Sequence, residues 1–251
     1  MKHLIFAGNW KMNHAPADAA AFVRDFLAHY QRMKDRTIIL FPPALTLPAV
    51  VHGLKERNDI QIGVQNIHWE DKGAFTGENS AAIARGAGAK YALVGHSERR
   101  HLFGETDAET RKKVGAAFRA GLIPVLCVGE TLIQRERGET NDVVLRQLRA
   151  GIEGLDGQHV SQMVVAYEPV WAIGTGKNAT PTDANDVHTV LRDTLRQATE
   201  RVGGVPILYG GSVSLANVQA LVSQPEVDGV LVGGASLDAG GWHSMVTTKQ
   251  G

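Results

Sequence analysis

The stretch MVVAYEPVWAIGTGK, residues 163–177, decides how the rest of the chain is read. Its first five residues, Met163 to Tyr167, form a short apolar run with β-branched members, the pattern of a strand buried on both faces. The run ends on a carboxylate, Glu168, and Pro169 follows at once. Proline disfavours the helical region for the residue before it, so Glu168 is held extended at the strand's mouth. Segment 170–176, VWAIGTG, is then apolar yet rich in glycine. A surface loop is ordinarily polar, so apolar residues here predict a flap that closes over something, with a stiff proline hinge and a flexible glycine hinge. A carboxylate beneath an apolar lid is the arrangement of a general base, because excluding water strengthens its basicity and its contacts. The same stretch also reads as a plain strand-to-helix connection with a surface glutamate, and the surrounding chain has to separate the two.

Outward from this stretch, short apolar runs alternate with amphipathic segments, with no linker and no low-complexity tract. Runs 4–7, 37–41, 60–64, 91–94, 123–128, 163–167, 206–209 and 229–232 read as strands. Between them, segment 17–32 carries Phe22, Phe26 and Tyr30 at helical spacing. Segments 47–57 and 80–86 are shorter helical patterns. Thr106-Asp107-Ala108-Glu109 is a capping box opening a helix that ends at Gly121. Helices over 141–150, 182–202 and 215–222 follow, and the tail beyond Gly241 is expected to hold one last turn. Eight strands, each followed by a helix, predict a parallel sheet. At 251 residues the best fit is an α/β fold, a (β/α)8 barrel forming a single domain over 1–251, since ~250 residues is typical of that architecture. A doubly wound open sheet is the alternative. Nothing like a GxGxxG fingerprint follows the first strand, which weighs against it.

Lys plus Arg number 26 and Asp plus Glu number 26, so the formal net charge is zero. Nucleic-acid and membrane-surface proteins need a basic excess, so neither is an expected partner. Any anionic ligand has to be drawn in by local fields. The one cysteine, Cys127, sits in the apolar run 124–128. No internal disulfide is possible, and a reducing, cytoplasmic setting is expected. Cys127 reads as buried filler rather than a reactive thiol. The amino-terminal apolar run is too short for a signal peptide, and no stretch approaches membrane-spanning length.

In such a barrel, chemistry sits at the carboxyl ends of the strands. Those ends read Gly8-Asn9-Trp10-Lys11, Gln65-Asn66, Gly95-His96-Ser97-Glu98-Arg99-Arg100, Gly129-Glu130, Glu168, Gly210-Gly211-Ser212 and Gly233-Gly234. Polar or glycine residues at nearly every end, against apolar interiors, are hard to explain as packing. The glycine pairs after the last two strands occupy the places where this architecture binds phosphate, with Gly174 of the flap as a further donor. His96 opens a short polar turn whose N–H groups point at the imidazole and disfavour its protonation. A neutral imidazole still donates to a carbonyl oxygen and relays a proton. Lys11 reads as a Schiff-base lysine or a fixed charge. No second lysine ends a strand to activate it, which favours the fixed charge. Asn9 reads as an oxyanion donor, and asparagine is also ordinary turn chemistry. The ten histidines show no metal-ligand spacing, so no metal is expected.

With GNWKMN (8–13), GAFTGENS (73–80), LVGHSERRHLFGET (93–106), CVGET (127–131), AYEPVWAIGTGK (166–177), YGGS (209–212) and LVGGASL (231–237), the sequence resembles the triosephosphate isomerase family over essentially its whole length. The resemblance implies interconversion of dihydroxyacetone phosphate and glyceraldehyde 3-phosphate without a cofactor. By the roles that family is known for, Glu168 is then the base and His96 the electrophile and proton donor, with Asn9 and Lys11 as electrostatic partners and Glu98 in support. It also implies a flap over 169–177, with Gly174, Ser212, Gly233 and Gly234 holding the phosphate. Ile173 and Leu231 are expected to pin Glu168 beneath an apolar roof. Glu130 and Tyr209 resemble the flap's open- and closed-state hydrogen-bond partners. Loop 73–80 resembles the family's subunit-interface loop, with Thr76 reaching toward the neighbour's Asn9, so a homodimer is expected. The carboxyl terminus departs from the family pattern: Asp238-Ala239-Gly240-Gly241-Trp242-His243 stands where a more regular last helix is usual. The rival readings are an imine-forming phosphosugar barrel using Lys11 and a barrel that binds sugar phosphates without turning them over.

Overall fold

The apolar runs resolve, in the computed structural model, into a closed barrel of eight parallel strands ordered as they occur in the chain, the last returning to pair with the first. The structure describes residues 2–173, 179–199 and 204–249. The strands are β1 (Leu4–Asn9), β2 (Arg36–Phe41), β3 (Ile60–Val64), β4 (Tyr91–Val94), β5 (Ile123–Val128), β6 (Val164–Tyr167), β7 (Ile207–Tyr209) and β8 (Gly229–Val232). Around them run α1 (Pro16–His29), α2 (Leu47–Gly53), α3 (Ala81–Gly86), α4 (Ser97–Leu102), α5 (Asp107–Arg119), α6 (Leu132–Glu136), α7 (Thr140–Ile152), α8 (Gly157–Gln162), α9 (Pro181–Ala198), α10 (Val218–Val222) and α11 (Ala239–Val246). The barrel is closed, so the open-sheet alternative is excluded.

Two buried layers account for the sequence pattern. Ile5, Ala7, Ile39, Phe41, Leu93, Val125, Cys127, Ala166, Leu208 and Leu231 form one cluster, inside the barrel. Their chain neighbours Phe6, Ile38, Leu40, Leu126, Val165 and Val230 belong to the other, beneath Phe22, Phe26, Val144, Leu148 and Leu191 of the helices. Both faces of each strand are covered, so the strands read as continuous apolar runs rather than alternating ones. Each large side chain so buried contributes about 1.5–3 kcal/mol of transfer free energy.

Element ends depart from the sequence pattern where pairing or capping outweighs hydrophobicity. β1 runs two residues past the expected end at 7, because Gly8 pairs with Leu40 and Asn9 with Phe41. That extension carries Asn9 to the barrel mouth. The helix expected over 182–202 starts at Pro181, with Thr180 as its cap and Asp183 answering it; residue 202 lies outside the described residues. α6 and α8 were too short to signal themselves, although Thr131 and Asp156 cap them through side-chain oxygens. The tail is the clearest correction. Asp238 accepts the Gly241 N–H at 2.6 Å, and an eight-residue helix, not one turn beyond Gly241, starts at Ala239 and buries Trp242, Met245 and Val246. Two glycines in its first turn hid that spacing. Among the described residues, no helix is long and apolar enough to cross a membrane.

Candidate active site

At the carboxyl-terminal mouth lies a cavity of about 300 Å³ bordered by Asn9, Lys11, His96, Glu168, Ser212 and Gly233. These residues come from the ends of five different strands.

Glu168 directly follows β6 and is 2 % exposed. Its N–H donates to the Val128 carbonyl at 2.8 Å, which continues the β5–β6 ladder one residue further and holds the backbone extended. Glycine is required beside it: a Cβ at Gly129 would overlap the Glu168 carbonyl, and one at Gly210 would stand 2.8 Å from Glu168 Cγ. The carboxylate accepts the Ser97 N–H at Oε2 (2.9 Å), and the Ser97 hydroxyl lies 3.4 Å from Oε1. Oε1 is 3.0 Å from His96 Nε2.

His96 caps α4, and its Nδ1 accepts the Glu98 N–H at 3.2 Å. A ring nitrogen that accepts carries no proton, so the neutral imidazole has its proton on Nε2, facing the cavity and Glu168. Asn9 Nδ2 approaches the same Nε2 at 3.2 Å. The amide is oriented by the Lys11 N–H, which donates to Asn9 Oδ1 at 3.0 Å. Two neutral N–H donors therefore converge on one spot, the arrangement that stabilises a developing oxyanion. Lys11 Nζ is 2.6 Å from Glu98 Oε1 and is partly exposed. A lysine ion-paired to a carboxylate supplies charge, whereas imine formation needs a neutral amine.

On the far side, Gly210 to Val213 after β7 and Gly233 to Ala235 after β8 border the same cavity. A 3₁₀ turn, Gly234–Ser236, starts there and closes through the Ser236 N–H to the Gly233 carbonyl at 2.8 Å. Backbone turns of this kind, with a cation nearby, suit a phosphate. Gly174 lies outside the described residues. Ile173 and Leu231 both line the cavity, at the apolar edge expected for them.

The described start of the segment expected to form a flap, 169–173, is tied down. Glu130 is fully buried; it accepts the Trp171 indole N–H at 2.9 Å and the Tyr167 hydroxyl at 3.1 Å, and its carbonyl accepts the Val170 N–H. Burial, then the Glu130 carboxylate, pushes the Tyr167 phenol far up, so it stays a donor. Burial pushes the Tyr209 phenol up to about 12. The Cys127 thiol is raised by burial and by nearby Glu168, which keeps it protonated and inert, the filler it was read to be.

All the sequence-predicted site residues that the structure describes border this cavity, except Glu98, which stands behind Lys11 and His96. Three contributors escaped sequence reasoning. Ser97 holds the Glu168 carboxylate; its position in the first turn after His96 was the available signal. Arg135 places its guanidinium 4.5 Å from the Trp171 ring and pairs with Asp183 of α9. Gln65 reaches the Lys11 backbone. Thr76 is exposed on loop 73–80.

Fold and site together define a (β/α)8-barrel protein with a small cavity at the strand ends that holds a carboxylate, an imidazole and an ammonium. Residues 4–249 match the family model described as triosephosphate isomerase. The chain is 47 % identical over 251 residues to a triosephosphate isomerase of Syntrophotalea carbinolica, covering 99 % of each protein. It is 46 % identical to one of Moorella thermoacetica over the full length of both, and 44 % identical to one of Solibacter usitatus over 98 % of this chain and 99 % of the other. The chain belongs to the triosephosphate isomerase family.

Proposed function

We propose that this chain interconverts dihydroxyacetone phosphate and D-glyceraldehyde 3-phosphate by proton transfer through an enediolate, using its own side chains and no cofactor. The observation that carries the reading is the convergence of Glu168 Oε1, at 3.0 Å, and Asn9 Nδ2, at 3.2 Å, on His96 Nε2, in a cavity lined on its other side by glycines.

Glu168 removes a proton from the carbon next to the carbonyl. The negative charge that develops on oxygen is met by the His96 Nε2–H and the Asn9 amide, and Lys11 offsets it. His96 relays the hydroxyl proton between the two oxygens, and Glu168 returns its proton to the adjacent carbon, so the enzyme ends as it began. Glu98 supports both partners, through its carboxylate to Lys11 and its N–H to His96. Gly174, Ser212, Gly233 and Gly234 hold the phosphate, and the flap over 169–177 keeps water from the intermediate, which suppresses loss of phosphate. In the described conformation Glu168 is engaged by Ser97 and His96, so substrate has to draw the carboxylate away from both. A substrate oxygen at His96 Nε2 supplies the exchange partner.

Two further readings belong here. Met12, Leu102 and Phe103 are strongly exposed and edge a groove with Asn13, Gln65 and Asn66. Loop 73–80, with exposed Phe75 and Thr76, suits that groove on a second copy, so the chain works as a homodimer with Thr76 of one copy near Asn9 of the other. Its single barrel domain functions in the cytoplasm.

The test is turnover of glyceraldehyde 3-phosphate in a coupled assay, together with exchange of substrate carbon-bound hydrogen in deuterated water. Glu168→Ala is expected to lose several orders of magnitude in kcat and all exchange, while inorganic phosphate still binds. Comparable activity in the variant refutes the base assignment. A borohydride-trapped adduct on Lys11 would instead establish an imine mechanism.

A further inference from the structure

Gln65 and Asn66 follow β3, and the chemistry above leaves Gln65 without a task. Its surroundings supply one. Among the described residues, only Lys11 and His14 are non-glycine residues with positive φ, at +51° and +67°. Both lie in the loop that follows β1. In the left-handed region an L-residue's Cβ crowds the next carbonyl, and such residues persist only where the surroundings over-determine them.

For Lys11 the determinant is Gln65. Its Nε2 donates to the Lys11 carbonyl and to the Phe41 carbonyl, each at 2.8 Å, so one amide ties the loop after β1 to the end of β2. On the other side of the same residue, the Lys11 N–H donates to Asn9 Oδ1. The rest of the loop is braced in the same manner. Asn13 donates to the Trp10 carbonyl at 2.7 Å, and the Thr46 hydroxyl donates to the His14 carbonyl at 2.8 Å. So held, the Lys11 side chain passes beside Gly233 and sets its ammonium on Glu98 at the cavity edge.

We infer that Gln65 is a positioning residue for Lys11: it holds the lysine's backbone left-handed so that the ammonium stays at the cavity instead of turning away. The inference rests on the proposed role of Lys11 as the cation that meets the substrate. Without the two Gln65 bonds the backbone is free to relax to negative φ, which reverses the direction of the side chain. The intrinsic preference for relaxing corresponds to about five- to thirtyfold in population at 25 °C, and the competent fraction falls accordingly.

The experiment is a double-mutant cycle read by calorimetric titration with inorganic phosphate and by kcat/KM for glyceraldehyde 3-phosphate. The four proteins are the parent chain, Gln65→Met, Lys11→Met and the double variant. Gln65→Met matches the side chain's length and removes both donors. It is expected to weaken phosphate binding about tenfold, and to have no further effect once Lys11 is Met. Weakening by the same factor in both backgrounds overturns the inference, because Gln65 would then act through the fold or the subunit contact. No weakening in Gln65→Met overturns it too, provided Lys11→Met does weaken binding. If Lys11→Met leaves phosphate binding unchanged, kcat/KM takes its place in the same comparison; if that is unchanged too, the proposed role of Lys11 falls, and this inference with it. Should Gln65→Met not fold, Gln65→Asn keeps the amide but falls one methylene short of the carbonyls, and the same two outcomes decide.

Discussion

His188 offers a stability measurement that tests the buried electrostatics of this barrel independently of catalysis. It lies on α9 and is fully buried. Nδ1 faces the Glu226 carbonyl at 3.0 Å and therefore carries the ring proton; the buried Nε2 has no partner among the described residues. The ring packs edge-on against Tyr167, with centroids 5.9 Å apart. Burial pushes its pKa from 6.5 down to about 4; Arg192 and Lys2 push the same way, and the Glu226 carbonyl and Asp228 oppose them. The folded value lies below the unfolded one, so between them the unfolded chain binds the extra proton. Stability from this group is thus complete above pH 6.5 and is lost as pH falls toward 4. One pH unit in that window costs about 1.4 kcal/mol, so acidification from pH 7 to pH 5 removes roughly 2 kcal/mol. His188→Gln keeps a donor for the Glu226 carbonyl and removes the titration. Urea unfolding of both proteins at pH 7 and pH 5, at one protein concentration, isolates the histidine, because carboxylate contributions are common to both. The parent is expected to lose about 2 kcal/mol more than the variant over that interval. Equal losses would refute the claim that this imidazole is held neutral by burial.

Gly129→Ala places a methyl group on the Glu168 carbonyl, where only backbone can give way. It is expected to destabilise the chain by about 1–3 kcal/mol and to lower kcat more than KM. Gly86→Ala, at the end of α3 with nothing near the added carbon, is expected to be neutral or slightly stabilising by thermal melting. Leu102→Asp puts a charge on the exposed apolar edge proposed to meet a second copy; sedimentation should show a monomer at a concentration where the parent chain is a dimer, and an unchanged dimer would relocate the interface.

The barrel was legible because burying both faces of a parallel strand leaves an unmistakable apolar run, and because glycine and polar residues cluster at the carboxyl end of nearly every one. What stayed hidden was set by contacts between distant segments. Nothing local to Gly8-Asn9 signals a strand; the partner residues Leu40 and Phe41 make it one. The carboxyl-terminal helix was masked by Gly240 and Gly241, whose poor helix propensity is offset by the Asp238 cap and by burial of Trp242, Met245 and Val246. At the site, the residue types that do chemistry announced themselves, while those that hold them did not. Ser97 acts mainly through a backbone N–H, which every residue but proline possesses, and Gln65 acts on carbonyls that any residue would supply.

That division has a physical origin. Glu168, His96, Asn9 and Lys11 stand on the ends of β6, β4 and β1, and each is fixed by a different neighbour: Ser97, the Glu98 N–H, the Lys11 N–H and Gln65 in turn. The three side chains at β4 and β1 are braced by bonds that substrate has no need to break. The Glu168 carboxylate is held instead by the Ser97 N–H and by His96 Nε2, and the second of these is the group that the substrate oxygen would also need on the proposed mechanism. On that mechanism, binding competes for His96 Nε2 and loosens the base as it supplies the acceptor. Glycine at 210 spares Glu168 Cγ a Cβ that would stand 2.8 Å from it. If Glu168 is the base we propose, the donors stay preorganised while the one group that must approach carbon remains movable, and this is the order of rigidity that proton abstraction from a weak carbon acid requires.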